Sequence, residues 1–238
     1  MTTIDVASLC VYVAQRQWQS IQGRLRTWRD ESVLGEGRRE YHASRGRHFA
    51  PPAANSRSMG AERESEGKTN NLFWATSEPW RVRMERGHQT VPAIEGCVYF
   101  PDLLLADVDR WRAWYGDCAT EGLTRDSVHG TLNLELLLGP SGLSRGLEFI
   151  EVEEVRRAGR RAFRLRGLPT SDIARYAPGM VALSATHYMI DVDAEFGILL
   201  TAEAYFDDRL ARIEELSELV IDGPIEPVLF SSPTAHPG

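Results

Sequence analysis

The spacing of turn residues between Arg145 and Phe230 constrains this chain more than any other feature. Leu147–Arg156 alternates imperfectly and Ala158-Gly159 turns the chain. Arg161–Arg166 follows, with Ala162, Arg164 and Arg166 opposite Phe163 and Leu165. A loop holding Pro169, Pro178 and Gly179 leads to His187–Asp193. Asp193–Gly197 then turns into Ile198–Phe206, and Asp207-Asp208 turns into Arg209–Leu219. Glycine accepts positive φ in such turns, and aspartate caps its own backbone. Short runs punctuated in this way predict a meander of antiparallel strands. Leu210, Ile213 and Leu216 also fit a helical period, but the hairpin tip before them and Val220-Ile221-Asp222-Gly223 after them favour a strand.

Upstream the periods are mixed. Trp18, Ile21, Leu25 and Trp28 fall three and four apart, which predicts a helix over Ala14–Asp30 with those four side chains as its packing face and Arg24, Arg26 and Arg29 beside it. That face would cover the sheet; a membrane surface or a partner is the other use for such a helix. Between Gly35 and Gly67 seven residues are glycine or proline, and residues 49–70 read as a flexible linker or lid. Leu72–Trp74, Trp80–Glu85, Thr90–Glu95 and Cys97–Phe100 read as strands. Leu104, Val108, Trp111 and Tyr115 fit a helical face, and Leu132–Leu138 is strand or helix with equal right. The organisation expected is a helical segment over 1–48, the linker or lid over 49–70, a sheet domain over 71–230 and a disordered tail over 231–238.

Three stretches carry a family likeness. Ala158–Arg166 resembles a G-R-x-A-x-R-(V/L)-R strand, Met189–Leu200 resembles a W-V-D-x-x-T-G-L-L-L hairpin, and Glu226–Phe230 resembles a P-x-x-x-F end. Together they resemble the superfamily of outer-membrane lipoprotein carriers and sigma-factor regulators, in a version found in actinobacteria, over roughly residues 72–230. The resemblance implies an α+β fold: a strongly curved, half-open antiparallel β-sheet with helices packed on the concave side. It also implies binding of acyl chains or lipoproteins in the concavity, or relay of envelope signals. Members of that superfamily are normally exported and often lipid-anchored.

Composition and motifs narrow the function further. The net charge is -7, spread unevenly: residues 1–49 carry eight arginines against five acids, and residues 191–222 carry ten acids against two arginines. The acidic stretch reads as a solvated sheet face. Three dispersed cysteines form no CxxC pair and suit a reducing compartment. No basic segment precedes an apolar run of signal-peptide length, and no window approaches the roughly 18 apolar residues of a membrane span. A cytoplasmic location is therefore expected.

No HExxH, GxSxG, GxGxxG or GxxxxGK[ST] motif is present, so neither a metal nor a cofactor is expected and the chain reads as a non-enzyme. Glu151 with Glu153 and Asp191 with Asp193 share strand faces, but acid–base work would need one of each pair desolvated, and they read as wet-face acids. His187 is the best isolated candidate base. Arg81, Arg83, Arg161, Arg164 and Arg166 make strand stripes without a nucleic-acid module, so nucleic acid is not an expected partner.

What remains is binding. The expected cavity lining is Trp80, Val82, Met84, Phe163, Leu165, Tyr188, Ile190, Leu199, Tyr205 and Ile213. The expected partner is a hydrophobic small molecule such as an acyl chain. The alternative is a regulatory or structural protein–protein module whose core is already filled.

Overall fold

The computed structural model describes residues 18–44, 66–87, 89–90, 102–107, 109–115, 118–123, 134, 137–139, 146–171, 173, 182 and 185–231. Its strands, in chain order, are β1 (Ser20–Asp30), β2 (Glu66–Ser77), β3 (Trp80–Glu85), β4 (Gln89–Thr90), β5 (Leu103–Asp107), β6 (Arg110–Tyr115), β7 (Cys118–Leu123), β8 (Leu147–Arg157), β9 (Arg160–Pro169), β10 (His187–Asp193), β11 (Leu199–Phe206) and β12 (Arg209–Ile221). One helix, α1 (Glu31–Ser44), follows β1, and a 3-10 helix spans Pro227–Phe230.

All twelve strands belong to one antiparallel sheet, ordered β7-β6-β5-β3-β2-β1-β12-β11-β10-β9-β8, with β4 beside β2. The sheet is not closed: among the described residues β7 and β8 stand at opposite edges. Its two halves are meanders, and β1 against β12 is the seam that joins them. The downstream meander matches expectation strand for strand. Ala158 and Gly159 turn at φ 49° and 77°, and Asp207 turns at 50°. Asp193 Oδ1 accepts the backbone N–H groups of Glu195 and Phe196 at 2.9 and 2.8 Å.

Three upstream expectations are corrected. Within the described residues, the helix expected over Ala14–Asp30 is replaced by β1, a central strand over Ser20–Asp30, and Trp18, Ile21, Leu25 and Trp28 are not one helical face. A spacing of four satisfies a period of two as well as 3.6, so Ile21 and Leu25 share a strand face without any helix. Both are fully buried, whereas Trp28 points to the other side, opposite Ile213. The helix lies just beyond, where Asp30 Oδ1 accepts the N–H groups of Ser32 at 2.9 Å and Val33 at 3.2 Å as an N-cap.

Leu104, Trp111 and Tyr115, expected on one helical face with Val108, instead lie on the paired strands β5 and β6, and Val108 lies outside the described residues. Asp107 Oδ1 accepts the N–H groups of Asp109 and Arg110, both at 2.8 Å, and so stops one strand and starts the next. The linker over 49–70 ends earlier than expected, because Glu66–Asn70 pairs with β1 as the start of β2. Its remainder, the strand expected at Cys97–Phe100 and the tail from 232 onward lie outside the described residues.

The two faces of the sheet differ sharply. One, here the inner face, buries Ile21, Leu25, Phe73, Val82, Leu104, Trp111, Leu165, Ile190 and Leu216 in a single apolar core. Leu134, Leu137, Leu138 and Ala182, from the segments between β7 and β8 and between β9 and β10, belong to the same core, as does Val33 of α1. Trp18 Nε1 donates to the Leu138 carbonyl at 3.3 Å. The outer face is a lattice of ion pairs, among them Arg24–Glu218, Arg157–Glu215, Arg164–Asp191 and Arg166–Glu151.

Candidate functional site

Alternation along each strand sends Val82 and Met84 of β3, Leu165 of β9, and Tyr188 and Ile190 of β10 to the inner face. With Phe163 and Leu199 they are the members of the expected lining that the structure brings together, none more than 7% exposed. Trp80 packs at the margin of that core. Tyr205 and Ile213 do not join them. Tyr205 stacks on His187, ring centroids 4.8 Å apart, and donates its hydroxyl to Glu203 at 2.7 Å on the outer face. Ile213 lies opposite Glu203 and Trp28, also outside.

A register shift opposite Asp191-Val192 puts Tyr205 out of phase with Leu199 on β11, and the phase of β12 does the same for Ile213. A bulge opposite Ala204-Tyr205 offsets the strand, so Arg212, Glu214 and Leu216 turn inward where the alternation had pointed to Ile213. Arg212 Nε donates to Glu214 Oε1 at 2.9 Å, and the pair lies beside Ala202, Ala204 and Tyr188. An ion pair on an apolar face must be held close, because each charge alone would be costly to bury. Small alanines on the neighbouring strand leave room for it. The space among these side chains is too small even for water. The sequence signal was available in principle: Ala202 and Ala204 are the small partners that two long side chains require.

Tyr188 is a further polar group at this face, as are the buried Asn71 and Thr27. The Tyr188 hydroxyl donates to the Ala182 carbonyl at 3.4 Å and accepts the Ala182 N–H at 3.2 Å, which ties the segment before β10 down onto the sheet. Burial pushes its pKa up. His187 faces outward rather than inward; burial, then the nearby Arg166 charge, holds its pKa below the ordinary histidine value. Among the described residues no group of three His, Cys, Asp or Glu side chains is placed to hold a metal. No helix among them is long and apolar enough to cross a membrane. The arrangement can enclose apolar matter between a sheet and the segments laid on it, with the Arg212–Glu214 pair, Tyr188, Asn71 and Thr27 among its polar fixtures.

The acids expected on a wet face are only partly so. Asp191 and Asp193 are 2% and 1% exposed, covered by arginines: Arg164 grips Asp191 with two hydrogen bonds of 2.7 and 2.9 Å, and Arg160 pairs with Asp193. Charge-assisted pairs of this kind lock strands together and leave neither carboxylate available as a base.

No protein-family model matches the sequence, and no curated protein matches it. Among solved structures the chain is similar to MucB, with a TM-score of 0.54 and 15% identity over 97% of this chain. It spans 64% of the length of MucB. It is also similar to LprF from Mycobacterium bovis, with a TM-score of 0.51, 10% identity, and coverage of 93% of this chain and 92% of that one. An uncharacterized conserved protein from Thermus thermophilus matches with a TM-score of 0.50 and 8% identity, over 97% and 96% of the two chains. Identities this low speak for the fold alone, and the fold is the one the motifs resembled, that of the lipoprotein carriers. The likeness also corrects the cytoplasmic location expected above, pointing to an extracytoplasmic rather than a cytoplasmic one. What the first residues lack does not decide the compartment.

Proposed function

We propose that this chain, which has the lipoprotein-carrier-like fold, is a non-catalytic binder of a hydrophobic ligand, an acyl chain or similar. The ligand would lie between the inner face of a curved, half-open sheet and helices packed on its concave side. One observation carries this reading: the apolar face is continuous from β6 to β9, across most of a sheet of eleven strands in unbroken order. At about 4.8 Å per strand such a sheet is roughly 50 Å wide. Each buried methylene contributes about 0.8 kcal/mol, so a twelve-carbon chain supplies roughly 10 kcal/mol before ordering costs.

Entry requires the covering segments to lift. They are held by Trp18 on the Leu138 carbonyl, by Tyr188 on Ala182 and by the burial of Leu134, Leu137 and Leu138, apolar contacts that ligand burial would have to replace. Native mass spectrometry of protein purified without detergent, followed by denaturing extraction, tests the reading. A retained acyl species, or saturable uptake of a hydrophobic dye, supports it. A protein of bare mass that takes up no dye sinks it.

One observation favours a second reading. The lining residues already pack against one another, and the space beside Arg212 and Glu214 is too small even for water. A permanently filled core would make the chain a protein–protein interaction module acting through its surface. In that case the bare mass and the absence of dye uptake are the expected results, with a stoichiometric protein complex as the positive one.

A further inference from the structure

The outer face carries a groove on the side of the sheet opposite the apolar core. It lies where the 3-10 helix Pro227–Phe230 crosses β3, β5 and β6, and it encloses about 450 Å³. Arg81, Asp107, Arg110, Arg112 and Glu121 line it, with Phe230 on the helix side. That helix is pinned. Arg83 Nη1 donates to the Leu229 carbonyl at 2.7 Å, while Arg83 Nε is held by Glu85 at 2.7 Å. The wall bearing Phe230 is therefore fixed relative to the strand floor.

The charges in the groove do not balance. Three guanidinium groups meet two carboxylates, and both carboxylates are already engaged. Asp107 Oδ1 accepts two backbone N–H groups. Glu121 reaches Arg112 only at 3.7 Å, with both side chains about half exposed or more. Arg81 and Arg110 make no side-chain hydrogen bond or ion pair among the described residues. Arg81, Arg110 and Arg112, the last also lying over the Trp114 ring at 5.3 Å, line a space large enough for a small ligand. Planar forks of this kind match the oxygen pairs of a tetrahedral anion, and the surplus of one positive charge favours an anionic ligand over a neutral one.

We propose that this groove binds a phosphate group, held by Arg81, Arg110 and Arg112 against a wall provided by Phe230. The ligand is either a soluble phosphate or the phosphomonoester headgroup of a lipid, since both present the same chemistry. The site is independent of the apolar inner face, so its failure would leave the hydrophobic-ligand reading standing.

The test uses the full chain and two probes: inorganic phosphate, followed by calorimetry and by the fluorescence of the neighbouring Trp111 and Trp114, and sedimented phosphatidylcholine vesicles with or without phosphatidic acid. Wild type is expected to bind at least one probe, more weakly as salt rises. R81Q/R110Q should lose at least tenfold in affinity while keeping its melting temperature and its dye uptake, because both side chains are exposed. Phe230→Ala should weaken binding less. Binding of inorganic phosphate assigns a soluble ligand; sedimentation only with phosphatidic acid assigns a headgroup. Binding to neither probe, or equal binding by R81Q/R110Q, overturns the proposal.

Discussion

Arg164 and Asp191 form the best-defined polar contact on the outer face, two parallel bonds that cross from β9 to β10. The Asp191 side chain is 3% exposed and that of Arg164 31% exposed. Removing one partner strands a nearly buried carboxylate, which costs about 3 kcal/mol where both ions are buried, and less here because solvent reaches the arginine. Arg164→Met is therefore predicted to lose about 2 kcal/mol in urea unfolding, with Arg157 Nε, 3.7 Å from Asp191, retaining part of the compensation. An unchanged midpoint would mean that the carboxylate is solvated in practice. Tyr205 offers a second prediction. Burial first, then its hydrogen bond to Glu203, pushes its pKa up to about 12. The folded state thus holds its proton more tightly than the unfolded one. The associated stability is present below about pH 10 and is lost between there and about 12. Absorbance titration of wild type against Tyr205→Phe should isolate one phenol ionising late, and Glu203→Gln should bring it part of the way back. Neither contact was legible in the sequence. Arg164 and Asp191 are 27 residues apart, and only the strand register brings them opposite.

Elements were legible where turns announce them and illegible where a spacing serves two periods. The meander from β8 to β12 could be read because Gly159, Asp193 and Asp207 mark its reversals. β1 could not, because Ile21 and Leu25 suit a helix and a strand equally, and the signal that decides is its pairing with β2 on one side and β12 on the other. α1 was hidden by Gly35 and Gly37, although Asp30 followed by Glu31 and Ser32 is an N-terminal cap in plain view. Two glycines now make an element-level prediction of opposite sign. A Cβ on Gly23 in β1 would meet the Ser217 carbonyl at 2.8 Å and Leu219 Cδ2 at 2.9 Å, beside the bulge in β12. A Cβ on Gly35 in α1 would meet nothing within 4 Å. Gly23→Ala should therefore lower stability by about 1 kcal/mol or more as the seam shifts, while Gly35→Ala should raise it by about 0.5–1 kcal/mol through helix propensity and unfolded-chain entropy. Thermal melts of the two variants check this; two shifts of the same sign would refute the assignment of strand and helix at these positions.

At the scale of the whole molecule, the seam decides what kind of protein this is. β1 joins β12 across nearly 200 residues of sequence, an estimate from the chain positions of a contact that no local pattern announces. Without that seam there would be two separate meanders; with it there is one broad sheet, apolar on one side and ion-paired on the other. Two of the three family-like motifs pointed to such a sheet because they sit in its second half, where β9, β10 and β11 are contiguous. The same breadth links stability to occupancy. A ligand that binds the folded chain and not the unfolded one adds RT ln(1 + [L]/Kd), about 2.7 kcal/mol at a hundredfold excess over Kd. Protein unfolded in guanidinium, stripped of apolar matter on a hydrophobic resin and refolded is thus predicted to melt several degrees lower than protein as purified. A long-chain fatty acid should restore the difference, and a four-carbon acid should not, since each lost methylene removes about 0.8 kcal/mol. Arg212 and Glu214 sharpen the comparison, because an acyl chain entering beside them must leave their ion pair intact or carry its own polar group. Arg212→Met/Glu214→Leu, which replaces the pair by apolar side chains of similar size, should fold and should widen the range of chains that restore the melt. Identical melting of stripped and untreated protein, with no response to any chain length, would mean that the inner face is a core and nothing more.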